Sequence, residues 1–171
     1  MAYACQQLNT DPDFAGKEIS IVGLSQGGLI SRALVQSCEG LKVHTLFTFG
    51  GPHQGVSSYQ KCKHWYCYIL NWFVGWLAES DFAQGLYAPA EYFRPFWDMA
   101  RFFDHASFLA YINNEVAGEE VPEYKERLTS VKNVGLFMWT EDMVVFPKES
   151  SWFGLFDESR DLILARDTED Y

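Results

Sequence analysis

Positive charge is scarce in this chain. Its 171 residues hold 13 lysines and arginines against 23 aspartates and glutamates, a net charge of −10. That balance argues against nucleic acid as a partner and against electrostatic attachment to an anionic membrane. Long apolar runs are missing too. The most apolar piece, residues 65–78, is too short to span a bilayer and contains Asn71 and Gly75, so no transmembrane segment is expected. The GxGxxG and P-loop patterns of nucleotide-binding turns do not occur, nor do Asn-x-Ser/Thr sequons, internal repeats or low-complexity tracts. The opening residues, MAYACQQLNT, carry no secretory leader. Cysteine is limited to Cys5, Cys38, Cys62 and Cys67. An even count suits two disulfides and an oxidising compartment without proving either. A disulfide-bearing chain with no leader reads as a fragment. Cys62, His64 and Cys67 have metal-ligand chemistry but no second half-site, so no zinc or other cofactor is expected.

What is present is hydrophobic: 48% of residues are apolar and 17% aromatic, enough for one domain with a sizeable core. The chain is organised around residues 18–35, EISIVGLSQGGLISRALV. Residues 19–22 form a short β-branched run of the kind that builds a buried parallel strand. Gly23-Leu24-Ser25-Gln26-Gly27 follows at once, and residues 29–35 have helical spacing. Strand, G-x-S-x-G and helix in succession is the setting of a nucleophile elbow, a strained turn that lifts a serine hydroxyl above the sheet. In this reading Ser25 is the nucleophile. The backbone N–H of Gln26, at the start of the helix, is one donor to a developing oxyanion. The competing reading is a glycine-rich strand–helix turn with an ordinary serine.

Further along, residues 41–49 read as a second strand that runs into Gly50-Gly51-Pro52-His53-Gln54-Gly55, and residues 133–139 as a third strand followed by Glu141-Asp142. The three strands, with cores at 19–22, 43–49 and 134–139, should be parallel. Between the second and third lies aromatic-rich sequence. Residues 56–130 read as a helical cap insertion inside a single α/β domain, with helices over 108–116 and 124–131.

A serine nucleophile needs a base, and the base needs an orienting carboxylate. In α/β-hydrolases the order along the chain is Ser, then Asp or Glu, then His. Asp142 stands just past the third strand, where the acid belongs; Glu141 is the neighbouring alternative. No histidine follows it, because His44, His53, His64 and His105 all precede. His53 lies on a loop at the active-site end of the sheet. It reads either as a substitute base or as a residue that braces the loop by hydrogen bonding. His44 reads as packed in its strand, and His64 and His105 as surface or interface residues.

The sequence resembles the palmitoyl-protein thioesterases, lysosomal α/β-hydrolases that remove fatty acyl groups from cysteine thioesters. The likeness rests on GLSQGG at 23–28, GGPHQGV at 50–56, the paired cysteines, SFLAYINNE at 107–115, the Glu141-Asp142 loop and SSWFG at 150–154. It implies an incomplete α/β-hydrolase fold, with Ser25 as nucleophile, Asp142 as triad acid and Gln26 at the oxyanion. It pairs Cys5 with Cys38 and Cys62 with Cys67. It also implies S-acylated proteins or peptides as substrates and a lysosomal or secretory setting. The family's amino-terminal HG-type loop and carboxy-terminal histidine segment have no counterpart in these residues, so impaired turnover is expected. A non-catalytic acyl- or partner-binding chain and an oxygen-ester lipase or carboxylesterase are the alternatives. An elbow strand with an open edge and marginal stability are expected as well.

Overall fold

The computed structural model describes residues 1–57, 92–105, 108–157 and 159–167. Among these residues the chain runs α1 (Ala2–Thr10), β1 (Glu18–Leu24), α2 (Gln26–Ser37), β2 (Lys42–Phe49), α3 (Met99–His105), α4 (Leu109–Ile112), α5 (Pro122–Thr129) and β3 (Asn133–Phe137). A 3-10 turn (Lys148–Trp152) and two short strands, β4 (Leu155–Phe156) and β5 (Leu162–Ile163), follow. The main sheet has the order β1-β2-β3 and is parallel throughout. Ile21 pairs with Leu46 and Leu24 with Phe49; on the other side of β2, Thr45 pairs with Asn133 and Phe49 with Phe137. This is the parallel sheet and helix arrangement of an incomplete α/β-hydrolase fold.

Side-chain alternation gives the sheet two unequal faces. On one, Ile21, Val43 and Leu46 pack with Val35 of α2 and with Leu128 and Val131. A second cluster joins Leu29 and Ala33 of α2 to Phe102, Leu109, Ala110 and Ile112. Full burial of one such leucine stabilises by about 1.5–3 kcal/mol, so α2 is the element on which the described helices gather. On the other face Val22, Leu24 and Phe47 are exposed. There Phe49 stacks on Phe137 at 4.5 Å, Phe47 meets Phe137 edge-on at 5.9 Å, and Trp139 lies beside Phe49.

Of the expected cap, residues 56–57, 92–105 and 108–130 are described. Their helices pack beside α2, and Val56 bridges to Phe93 outside the main sheet. The helix expected over 108–116 is only Leu109–Ile112, because Asn114 turns left-handed (φ +56°) and its side chain exchanges two hydrogen bonds with the Val121 backbone. The third strand stops at Phe137 rather than 139. Phe137 faces the last residue of β2, and the Gly50 N–H closes the ladder on the Phe137 carbonyl at 2.7 Å. The antiparallel β4–β5 pair lacks any pattern signal, being two residues a side.

A disulfide joins Cys5 to Cys38 and ties α1, which buries none of its residues, to the end of α2. Across a sequence separation of 33 it contributes about 4 kcal/mol on the chain-entropy model. The expected Cys62–Cys67 pair and His64 lie outside the described residues. No helix among those described is long and apolar enough to cross a membrane.

Candidate active site

β1 delivers its chain directly into α2, and the single residue at the corner is Ser25. Its backbone stands at φ +53° and ψ −126°, a conformation that L-residues rarely adopt. The corner is tight enough to need Gly23. A methyl group there would overlap the Gly27 carbonyl oxygen and come within 2.6 Å of Ser31 Oγ. Ser25 is exposed, and its hydroxyl makes no capping hydrogen bond to the helix. Gln26 is the first residue of α2, so its N–H lies among those with no acceptor inside the helix. The Ser25 N–H donates to the Phe49 carbonyl at 2.8 Å, which pins the corner to the end of β2.

Asp142 reaches the same end of the sheet. After β3 the chain turns, with the Asp142 N–H on the Trp139 carbonyl at 3.3 Å. Asp142 Oδ1 accepts the N–H groups of Val144 (2.8 Å) and Val145 (3.0 Å), which fixes the carboxylate. Oδ2 lies 3.6 Å from where a Cβ on Gly50 would stand; Gly50 itself has φ +60°, and the Trp139 indole closes the same space. Because the strands are parallel, Ser25, Asp142 and the 50–55 loop all follow carboxyl ends of strands, the end where α/β sheets place their sites. Glu141, the neighbouring alternative acid, is exposed.

His53 sits inside the fold rather than at its surface. It is fully buried, with Nε2 2.9 Å from Thr48 Oγ1 and its ring stacked 4.9 Å from that of Phe153. Nδ1 has no hydrogen-bond partner among the described residues. Burial, and then the nearby Arg32 guanidinium, hold its pKa well below the usual histidine value. A neutral imidazole in this setting braces the loop from within. His44 is half-buried in β2, with Nδ1 2.8 Å from Thr45 Oγ1.

Sequence reasoning missed what surrounds that loop. Arg32 is 2% exposed and donates to the His53 carbonyl (3.1 Å) and to Asn113 Oδ1 (2.7 Å). Desolvation, partly offset by Glu115, brings its pKa down to about 9. Arg94 is paired with Glu115 at 2.7 Å and also donates to Gln54 Oε1 at 2.8 Å. Ser150 Oγ donates to the Gly55 carbonyl (2.7 Å) and accepts the Gln54 N–H (3.0 Å). The 50–56, 107–115 and 150–154 motifs thus meet around one buried polar cluster. A charged residue at an inward position of α2 was the one available signal. Among the described residues no group of three His, Cys, Asp or Glu side chains is placed to hold a metal.

The family model described as palmitoyl protein thioesterase matches residues 1–171. The chain is 32% identical over 170 residues to palmitoyl-protein thioesterase 1 of Caenorhabditis elegans, covering 98% of this chain and 56% of that protein. It is 30% identical over 162 residues to a palmitoyl-protein thioesterase-dolichyl pyrophosphate phosphatase fusion of Schizosaccharomyces pombe, covering 90% and 26%. To the human protein named lysosomal thioesterase PPT2 it is 23% identical over 156 residues, covering 87% and 49%. The chain spans about half the length of the first of these relatives, and less of the others. Because the family model matches across residues 1–171, the chain belongs to the palmitoyl protein thioesterase family.

Proposed function

We propose that this chain carries the nucleophile and acid of a thioester hydrolase that removes fatty acyl groups from S-acylated proteins or peptides. The observation that carries the reading is Ser25 held at positive φ on a strand–helix corner, with the anchored Asp142 carboxylate at the same end of the sheet. Ser25 attacks the thioester carbonyl as an imidazole oriented by Asp142 takes its proton, the Gln26 N–H receives the oxyanion, and collapse breaks the C–S bond so that the sulfur leaves as a thiol with that proton. Water then releases the fatty acid. Asp142 Oδ2, with no hydrogen bond among the described residues, is the oxygen left to orient an imidazole. Names of relatives such as lysosomal thioesterase PPT2 support a lysosomal setting.

No imidazole follows Asp142, and His53 is committed to Thr48, so residues 1–171 alone turn over slowly. Loss of a triad member costs on the order of 10⁴–10⁶ in rate. The burial of His53 against Thr48 favours a second reading, an acyl- or partner-binding chain without turnover. Hydrolysis of a palmitoyl thioester by the purified chain, set against Ser25→Ala and a matched oxygen ester, tests both readings. A weak rate that is lost in Ser25→Ala and favours the thioester is expected. Equal rates for Ser25→Ala and the parent chain would remove Ser25 as the nucleophile.

A further inference from the structure

We propose that Asn113 is a positioning residue for Ser25 and Asp142, acting as a link that clamps Gln54 of the 50–55 loop to the helix carrying the serine. The proposal rests on the reading of Ser25 and Asp142 given above. Asn113 touches neither residue. Its Oδ1 accepts from Arg32, which sits on α2 seven residues past Ser25. Its Nδ2 donates to Gln54 Oε1 at 3.2 Å and lies 3.4 Å from Glu115 Oε1. One amide therefore turns its oxygen to a cation and its nitrogen to two acceptors. Aspartate at this position would keep the first bond and lose both others, placing a second carboxylate against Glu115. Leucine would lose all three, leaving the buried Arg32 with the His53 carbonyl and the half-buried Gln54 side chain with Arg94.

The clamped loop is what the two site residues share. Its first neighbour, Phe49, accepts the Ser25 N–H, and Gly50 adjoins Asp142 Oδ2. A loop released at Gln54 moves the carbonyl that holds the serine corner and the surface on which the carboxylate rests. The clamp has a second strut in Arg94, which bonds Gln54 and Glu115 together. Because that strut fixes Gln54 without reaching α2, Asn113 joins Gln54 to the serine helix, beside the direct bond from Arg32 to the His53 carbonyl.

Native-state hydrogen exchange and fluorophosphonate labelling of the purified chain test this, using Asn113→Leu, Asn113→Asp and, at the loop end of the same link, Gln54→Ala. The Ser25 N–H and the 50–55 amides should exchange about tenfold faster in Asn113→Leu, while the β1–β2 ladder keeps its protection. Labelling of Ser25 per folded molecule should slow by a similar factor, with Asn113→Asp between Asn113→Leu and the parent chain. Uniformly faster exchange across the ladder and the loop would overturn the proposal by showing a general loss of stability. So would unchanged exchange at Ser25 and 50–55. If the parent chain labels too slowly to measure, as the missing base allows, the exchange pattern alone decides the clamp. Should Asn113→Leu not fold, Gln54→Ala gives the same contrast.

Discussion

At the scale of single residues, His53 makes stability depend on pH. In the folded chain its imidazole is kept neutral well below 6.5, first by burial and then by Arg32. In the unfolded chain it titrates near the ordinary value of about 6.5. Above that pH both states are neutral and His53 adds no slope. Below it the unfolded chain takes up a proton that the folded chain refuses, so stability falls as pH falls towards the depressed native pKa. The slope from this group is at most about 1.4 kcal/mol per pH unit. Denaturant melts from pH 7.5 to 5 should show the decline, and His53→Gln, which can keep the Thr48 hydrogen bond, should flatten it. Equal profiles for the two chains would remove His53 as the source. A histidine four residues past a strand end is visible in the sequence, but the direction of its ring is not. That depends on Thr48, Phe153 and Arg32, which come from three separate parts of the chain.

Among the elements, the β1–α2 corner is the one most completely written in local sequence. Its β-branched run, its glycines and its helical spacing are contiguous, so strand, turn and helix follow from neighbours alone. Gly23 marks where that corner has no spare room. Gly23→Ala forces α2 away from β1, because the added methyl group meets backbone rather than a flexible side chain. Overpacking typically costs about 1–3 kcal/mol, and a cost at the upper end is expected, read as a lower urea midpoint with unchanged slope. A midpoint equal to that of the parent chain would mean the corner is looser than its geometry. The segment after β2 was much less legible. Its aromatic composition marks helical packing without saying against what, and the described helices proved to depend on α2, far away in sequence. The end of β3 was equally hidden, since it is set by where β2 runs out of partners.

The whole molecule presents one face of its sheet to solvent. Val22, Leu24, Phe47 and Phe137 are exposed there, and among the described residues β1 pairs only with β2. An apolar face beside an unpaired strand edge favours association between copies. Sedimentation of the purified chain should show concentration-dependent association that Val22→Thr with Phe137→Thr reduces. Unchanged association in the double variant would place the sticky surface elsewhere. The strand order also dictates a sequence of events in time. β1 and β2 are separated by residues 25–41, whereas β2 and β3 are separated by residues 50–132, a connection about five times as long. Closing the longer connection costs about 1.4 kcal/mol more in chain entropy before any β3 contact repays it. Refolding is therefore expected to protect the β1–β2 amides first. Pulse labelling should catch an early species with that pair formed and Asn133–Phe137 still open, and simultaneous protection of all three strands would refute this order. During that interval the Gly50 N–H lacks its Phe137 acceptor and Asp142 has not arrived beside it, so the carboxylate half of the site is the last part of the chain to mature.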